Sequence, residues 1–136
     1  MIVGTDAEAL VSAHLRASVA IQALIGERVY TEVPKRAEWP LLRLQRIGGG
    51  PVASPAVLDG ARLQFDAFGG SKAQARELAA TVVAELDANL AGVHAAYAST
   101  VTATRAGTLR YSPDTTFDPP KPRYLVDVTV YVRPNP

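Results

Sequence analysis

Cysteine is absent from this 136-residue sequence, which excludes disulfides, thiolate metal sites and a cysteine nucleophile. The two histidines, His14 and His94, form no H-x-x-x-H pair, so no compact metal-ligand cluster is present. No apolar run approaches the ~20 residues that cross a bilayer. The opening MIVGTDAE is too short and too acidic for a signal peptide. We expect a protein made in the cytoplasm that enters no membrane and needs no cofactor.

An excess of charge of one sign is also lacking. Fourteen Lys and Arg against thirteen Asp and Glu give a formal net charge of +1, which provides no global attraction to nucleic acid. Tyr30, Trp39, Arg43, Arg46 and Arg62 could in principle form a stacking and phosphate platform, but no ribonucleoprotein-type motif accompanies them. The 48% hydrophobic content is ordinary for a packed core, and the length predicts one domain over residues 1–136.

Catalytic signatures are missing as well. The Gly48–Gly50 run lacks the downstream Lys-Ser/Thr of a phosphate-binding loop, and no serine lies in a G-x-S-x-G context. Asp114 and Asp118 share a proline-rich loop without an obvious third ligand, which favours a solvated loop over a cation or acid/base pair. The sequence therefore predicts a protein that is not an enzyme.

The first strong pattern is a helix from Asp6 to about Ile25. Thr5 and Glu8 have the spacing of a capping box, and Gly26 stands where a glycine ends a helix. The residues that fall on one face at 100° per residue are Ala7, Leu10, Val11, His14, Ile21 and Ile25. On such a face His14 is expected to be a core or interface histidine.

A second helix is predicted from about Ser71 to Leu90, with Ser71 and Gln74 as cap and Gly92 beyond its end. Its apolar stripe comprises Ala75, Leu78, Ala79, Val82, Val83, Leu86 and Leu90. Glu85 falls on the polar side.

Alternation of apolar and polar residues predicts five strands: Arg28–Val33, Leu41–Ile47, Ala61–Phe68, Thr100–Leu109 and Arg123–Arg133. The order is α-β-β-β-α-β-β. Because only one face of each strand is fully apolar, we expect a two-layer α+β fold in which both helices cover one face of a mixed or antiparallel sheet. The opposite face carries charges of both signs and must meet water or another subunit.

Two segments predict long loops, Gly48–Gly60 and Ser112–Pro122, because glycine and proline interrupt every regular pattern there. Loops of this length inside a compact domain are usually functional. They are candidates for arms that contact a neighbouring subunit.

The whole sequence resembles a known family in the order of its elements. The strings that carry the resemblance are "DAEALVSAHLRA", "RVYTEVP", "WPLLRLQRIGGGP", "LDGARLQFDAFGGSKAQARELAATVVAEL" and "PRYLVDVTVYVRP". They resemble the tail terminator, or tail completion, proteins of long non-contractile-tailed bacteriophages, particularly those of actinobacterial hosts. The resemblance covers nearly the whole chain and includes no catalytic signature.

The resemblance implies a homo-hexameric ring on the last ring of the tail tube. Such a ring stops tube polymerisation, docks the tail to the head connector or stopper protein and lets DNA pass through its hole without sequence-specific binding. It implies a location in the virion at the head-proximal end of the tail, with assembly in the host cytoplasm.

Within this expectation, ten residues are candidates for the protein interface. They lie in the two loops, on the polar sheet face, or are aromatic anchors: Trp39, Gly48, Gly49, Gly50, Pro51, Arg62, Asp66, Asp114, Phe117 and Tyr131. Burial of Trp39 in the core is an equally open interpretation.

Three alternatives remain from the sequence. Another head–tail joining ring, a stopper or adaptor, would also lack catalysis. A small enzyme or ligand-binding domain would show a deep pocket at His14 or at Asp114 and Asp118. A nucleic-acid-binding accessory factor would bind DNA in a salt-dependent way.

Overall fold

The computed structural model describes residues 5–53 and 58–135. Its helices are α1 (Ala7–Ala17), α2 (Val19–Ile25) and α3 (Lys72–Asn89). Its strands are β1 (Val29–Tyr30), β2 (Leu41–Ala53), β3 (Leu58–Phe68), β4 (Gly92–His94), β5 (Ser99–Ala106), β6 (Arg110–Tyr111) and β7 (Arg123–Pro134). A 3-10 turn, Ala95–Tyr97, joins β4 to β5.

The strands form one mixed sheet in the order β1-β2-β3-β7-β5-β4. β6 pairs with the first residues of β7, before the part of β7 that pairs with β5. The β1–β2 pair is parallel, and the other pairs are antiparallel. The predicted α+β class is confirmed. Two short strands, β4 and β6, escaped the sequence analysis because two or three residues are too few to show alternation.

The first predicted helix is two helices, because Ser18 interrupts it. The Ser18 backbone N–H donates to Leu15 O at 3.2 Å, and its side chain accepts from Ile21 N. A serine that satisfies backbone groups in this way competes with a continuous helix. The expected capping box at Thr5 is also wrong, since Asp6 caps α1 by accepting from Ala9 N.

The second helix is confirmed closely. Ser71 caps α3 by accepting a hydrogen bond from Gln74 N at 3.1 Å. α1 and α3 pack against one face of the sheet, and α2 packs against these two helices. The buried core on this face includes Leu10, Leu15, Ile21, Leu63, Phe65, Leu78, Val82, Leu86, Val128 and Val130. The alternation predicted for β3 is confirmed, because Leu63, Phe65 and Ala67 are buried on this face.

The prediction of a long loop at Gly48–Gly60 is wrong. β2 continues through the glycines to Ala53, and β3 begins at Leu58, so these residues form a β-hairpin; residues 54–57 of the predicted loop lie outside the described residues. A bulge at Ile47 and the positive φ of Gly49 hide the strand from periodicity analysis. The hairpin is therefore part of the sheet.

Register defines two ends of the sheet. At the Phe68 end, Leu41, Phe68 and Arg123 lie side by side on β2, β3 and β7. At the hairpin end, Ala53 pairs with Leu58. The two segments first expected to be loops therefore lie at opposite ends of the strands, because the Ser112–Pro122 segment hydrogen-bonds to Gly69 and Arg123 beside Phe68.

Gly49 is required in the hairpin. Its φ is +85°, and a Cβ atom added there would lie 1.8 Å from the carbonyl oxygen of Gly60. We expect Gly49→Ala to lower the free energy of unfolding by at least about 1–2 kcal/mol, from left-handed strain alone. Chemical denaturation measures the loss. Gly48→Ala is the matched control, since an added Cβ at Gly48 meets nothing within 4 Å; equal losses in both variants would contradict this description of the hairpin.

Candidate assembly surfaces

The helix-free face of the sheet is polar along its middle. Arg62 on β3 donates a hydrogen bond to Asp127 on β7 at 2.8 Å, and both side chains are substantially exposed. Gln45 and Thr129 lie in neighbouring rows of the same face. An exposed ion pair of this kind contributes little to stability, so these side chains are free to meet another surface.

Asp66 lies on the same face but is not accessible. Only 1% of the residue is exposed, and the Arg43 guanidinium binds one carboxylate oxygen while Gln64 Nε2 donates to the other at 2.9 Å. A buried carboxylate is stable only when its oxygens are paired in this way. The sequence analysis proposed Asp66 as an interface residue; the structure places it in an internal ion pair.

The Ser112–Pro122 segment folds back over the Phe68 end of this face. Asp114 and Lys121 exchange two backbone hydrogen bonds of 2.8 and 3.0 Å. The Lys121 ammonium lies 3.8 Å from the Trp39 ring centroid, and the Trp39 ring makes edge contacts with Phe68 and Phe117. The segment is therefore held in place by this aromatic cluster.

Asp114 helps to fix the turn inside this segment. Its carboxylate accepts hydrogen bonds from the Thr116 hydroxyl at 2.7 Å and the Thr116 backbone N–H at 3.0 Å. The hydroxyl bond, followed by the backbone bond and the nearby Arg123 and Arg43 charges, lowers the pKa of Asp114 against the opposing effect of burial. Asp118, four residues further along the chain, is exposed.

The hairpin strands carry a third ion pair. Both terminal nitrogens of Arg46 bind the Asp59 carboxylate at 2.7 Å, across β2 and β3. Glu8 of α1 accepts a hydrogen bond from the Arg46 backbone N–H at 2.9 Å. The glutamate that the sequence analysis assigned to a capping box therefore ties α1 to the outer edge of β2.

The two histidines, His14 on α1 and His94 on β4, contact each other. His14 Nε2 lies 3.3 Å from Glu85 Oε1 without an aligned hydrogen bond, and the His14 and His94 rings are in edge contact at 6.0 Å. His94 Nε2 lies 2.7 Å from the carbonyl oxygen of Leu90. Glu85, predicted to face solvent, is mostly buried here because His14 of α1 lies against it.

The described residues offer no metal site around these histidines. Among residues 5–53 and 58–135, no group of three or more His, Cys, Asp or Glu side chains could hold a metal ion. Among the same residues, no helix is long and apolar enough to span a membrane.

An open groove runs between α3 and β5, with Ala80, Val83, Ala84 and Leu109 among its lining residues.

The ten candidate interface residues divide among these features. Trp39, Asp114 and Phe117 meet at the Phe68 end, and Gly48 to Pro51 belong to β2 in the hairpin. Arg62 and Tyr131 lie on the helix-free face, where Tyr131 pairs with Gly60 and Ala103. The sequence analysis missed Arg43 and Lys121 as the cations that organise this face, because an ion pair across 23 residues leaves no local signal.

The fold has a known counterpart in a phage-like particle. A chain from a structure described as "Virion of native gene transfer agent (GTA) particle" superposes with a TM-score of 0.64, over 96% of this chain and 95% of that chain. Its sequence identity is 17%, so the likeness shows a shared fold. A search of curated protein sequences returns no match.

A family model places the chain more closely. The model, described as "Tail completion protein gp17", matches residues 9–133. Taken with this fold, the match defines a structural, non-enzymatic protein of a phage-type tail. The chain belongs to the tail completion protein gp17 family.

We expect the buried ion pair to be the most sensitive point of the helix-free face. Arg43→Met leaves the Asp66 carboxylate buried with only Gln64 as partner, which should lower the free energy of unfolding by about 3 kcal/mol. Arg62→Met removes an exposed ion pair and should cost less than about 1 kcal/mol. Denaturant unfolding of both variants measures the difference, and similar losses would contradict the burial of Asp66.

The histidine contact predicts a pH dependence of stability. Burial, more than the neighbouring His94, lowers the pKa of His14, although Glu85 acts in the opposite direction. Because the folded pKa lies below the unfolded value of about 6.5, the contribution of neutral His14 is complete above that pH. It is lost as the pH falls from there towards the folded pKa.

The His14→Gln variant should therefore lose part of the pH dependence of unfolding in the pH range just below about 6.5. Urea unfolding at several pH values measures it. Carboxylate titration, including that of Asp114, lies mainly below this range, so an unchanged slope in His14→Gln would exclude His14 as the cause.

Proposed function

We propose that this protein forms a homo-hexameric ring on the last ring of the tail tube, ends tube polymerisation and provides the docking surface for the head connector or stopper protein. DNA passes through the ring, which lies at the head-proximal end of the virion tail after assembly in the host cytoplasm. Membership of the tail completion family supports the tail location.

The observation that carries this proposal is the placement of the Ser112–Pro122 segment and of the β2–β3 hairpin. The Ser112–Pro122 segment lies at the Phe68 end of the strands, and the Ala53–Leu58 pair of β2 and β3 lies at the other end. A ring between a tube and a connector needs two different docking surfaces, one on each side. Strands that run along the ring axis would direct these two segments to opposite sides.

The chemistry of the Phe68 end suits contact with another protein. Phe117 is 37% exposed although it contacts Trp39, and Asp114 and Lys121 surround this aromatic patch with charge. Interfaces are enriched in aromatic residues of this kind with polar groups at their rim. We propose Trp39, Asp114 and Phe117 as docking residues, and Arg62 and Tyr131 as further contacts.

A net charge near zero agrees with a ring through which DNA passes. A strongly basic inner surface would bind DNA by releasing counterions, whereas the net charge here is +1. On the polar face, the exposed Arg62 is paired with Asp127. Such pairing limits the attraction of DNA to the ring.

The direct experiment combines mass and tube length. The mass of the purified chain is measured alone and with preformed tail tubes, and its effect on the polymerising tube protein is followed by electron microscopy. We expect a six-subunit mass on the tube ends and an arrest of growth. Growth of tubes past the bound protein would contradict termination, and binding to the connector alone would favour a stopper or adaptor.

A point variant tests the proposed docking end. Phe117→Ser should weaken attachment to the tube or to the connector at least about tenfold, because it removes an exposed aromatic anchor. Val19→Ser is the matched control: Val19 is 82% exposed at the start of α2 and does not belong to the Trp39–Phe117 cluster. Thermal unfolding confirms that both variants fold, and equal attachment by the two would exclude Phe117 as an anchor.

A further inference from the structure

On each flank of the sheet, a short strand covers only part of the outer edge of a longer strand. β1 covers the outer edge of β2 only at Leu42 and Arg43, so within the described residues β2 has no strand partner there from Leu44 onward. On the other flank, β4 covers β5 only from Ser99 to Val101. The outer edge of β5 lacks a described partner from Thr102 to Ala106. Unpaired strand edges readily accept another strand.

The two open segments lie at the same height in the sheet. Register across β3 and β7 places Gly50 of β2 level with Ala103 of β5, through Gly60 and Tyr131. By the same path, Gly48 is level with Arg105. A second copy placed beside the first without tilting would therefore bring one open segment next to the other.

Strand direction agrees with such a contact. β2 is antiparallel to β3, β3 to β7 and β7 to β5, so β2 and β5 run in opposite directions. In a ring whose axis follows the strands, β2 of one copy would meet β5 of the next as an antiparallel pair. Antiparallel pairing is the more stable arrangement and needs no change of fold.

The glycines add an independent indication. Neither Gly48 nor Gly50 has a positive φ, and an added Cβ would meet nothing within 4 Å at either position. Nothing inside the subunit therefore requires them, although glycine weakens a strand. Glycine inside a strand often marks the close approach of another backbone.

The helix side of the β5 flank leaves room for the rest of the incoming copy. The groove between α3 and β5 is lined by short side chains such as Ala80 and Ala84. The β2 edge carries α1 with it on the same side of the sheet, through the Glu8–Arg46 hydrogen bond. The α1 helix of one copy would thus lie along this groove of the next.

We propose that the ring closes by sheet extension: the β2 edge of one copy, at Gly48–Gly50, pairs with the β5 edge of the next, at Ala103–Ala106. This interface is heterologous, joining two different patches, as a cyclic ring requires. The proposal rests on the proposed ring function and specifies which surfaces of the subunit form it.

The absence of cysteine allows a direct test by disulfide formation. Gly48→Cys is combined in turn with Ala103→Cys, Thr104→Cys and Arg105→Cys, because facing residues of an antiparallel pair lie within disulfide distance. On oxidation with tail tubes present, we expect at least one combination to give a ladder of multimers up to the closed ring. Gly48→Cys with Glu77→Cys, on the exposed side of α3, is the control and should give no ladder.

A second variant tests the backbone contact. Gly107 donates its N–H to Asp127 on β7, so alternation directs the Thr104 N–H outward. Thr104→Pro removes that donor on an edge strand, where proline is tolerated, and should reduce ring formation at least about tenfold. Thr104→Val keeps the donor and should assemble normally.

The outcomes separate this proposal from the proposed function. Arrest of tube growth without a ladder in any facing pair, and with Thr104→Pro assembling normally, would overturn sheet extension and leave tail termination intact. A protein that neither forms multimers nor arrests tubes would overturn both. A ladder from the facing pairs alone, abolished by Thr104→Pro, supports sheet extension.

Discussion

The antiparallel register of β3 between β2 and β7 is the constraint on which the rest of the structure depends. β3 pairs with both neighbours from Asp59 to Phe68, which fixes the side chains that face the helices and those that face away. A shift of one residue would exchange Phe65 with Asp66 and place a charge in the core. The register also sets the heights of the hairpin and of the Ser112–Pro122 segment.

The same register explains why the helix-free face is only partly free. At the Phe68 end, Leu41, Phe68 and Leu125 are buried on this face. Trp39 and Phe117 contribute to the cluster beside Phe68. Towards the hairpin, the face carries the exposed Arg62–Asp127 pair. The helix-free face is therefore buried at its Phe68 end, where the aromatic cluster stabilises the fold, and exposed towards the hairpin.

The parts of the fold that the sequence could predict are those in which one periodicity lasts for several turns or residue pairs. α3 and β7 satisfy this condition, and their observed bounds lie within one residue of the prediction. Where a single residue changes the local geometry, prediction failed. Ser18 divided a helix, and Gly49 with the Ile47 bulge concealed half of a strand. The candidate interface could be predicted only in part. Asp66 is buried because it pairs with Arg43, and this pairing depends on the register between strands, which no local pattern contains.

In the proposed ring, strand pairing and docking have different energetic roles. Three or four rows of backbone pairing supply only a few net hydrogen bonds, each contributing about 1 kcal/mol, against an association cost of at least about 4 kcal/mol. Such an edge contact is weak between free subunits, which also limits uncontrolled growth of sheets in solution. Docking several subunits on one tube end raises their effective concentration for one another. A ring that closes by sheet extension would then form where the tube ends, because only there is the cost of bringing the subunits together already met.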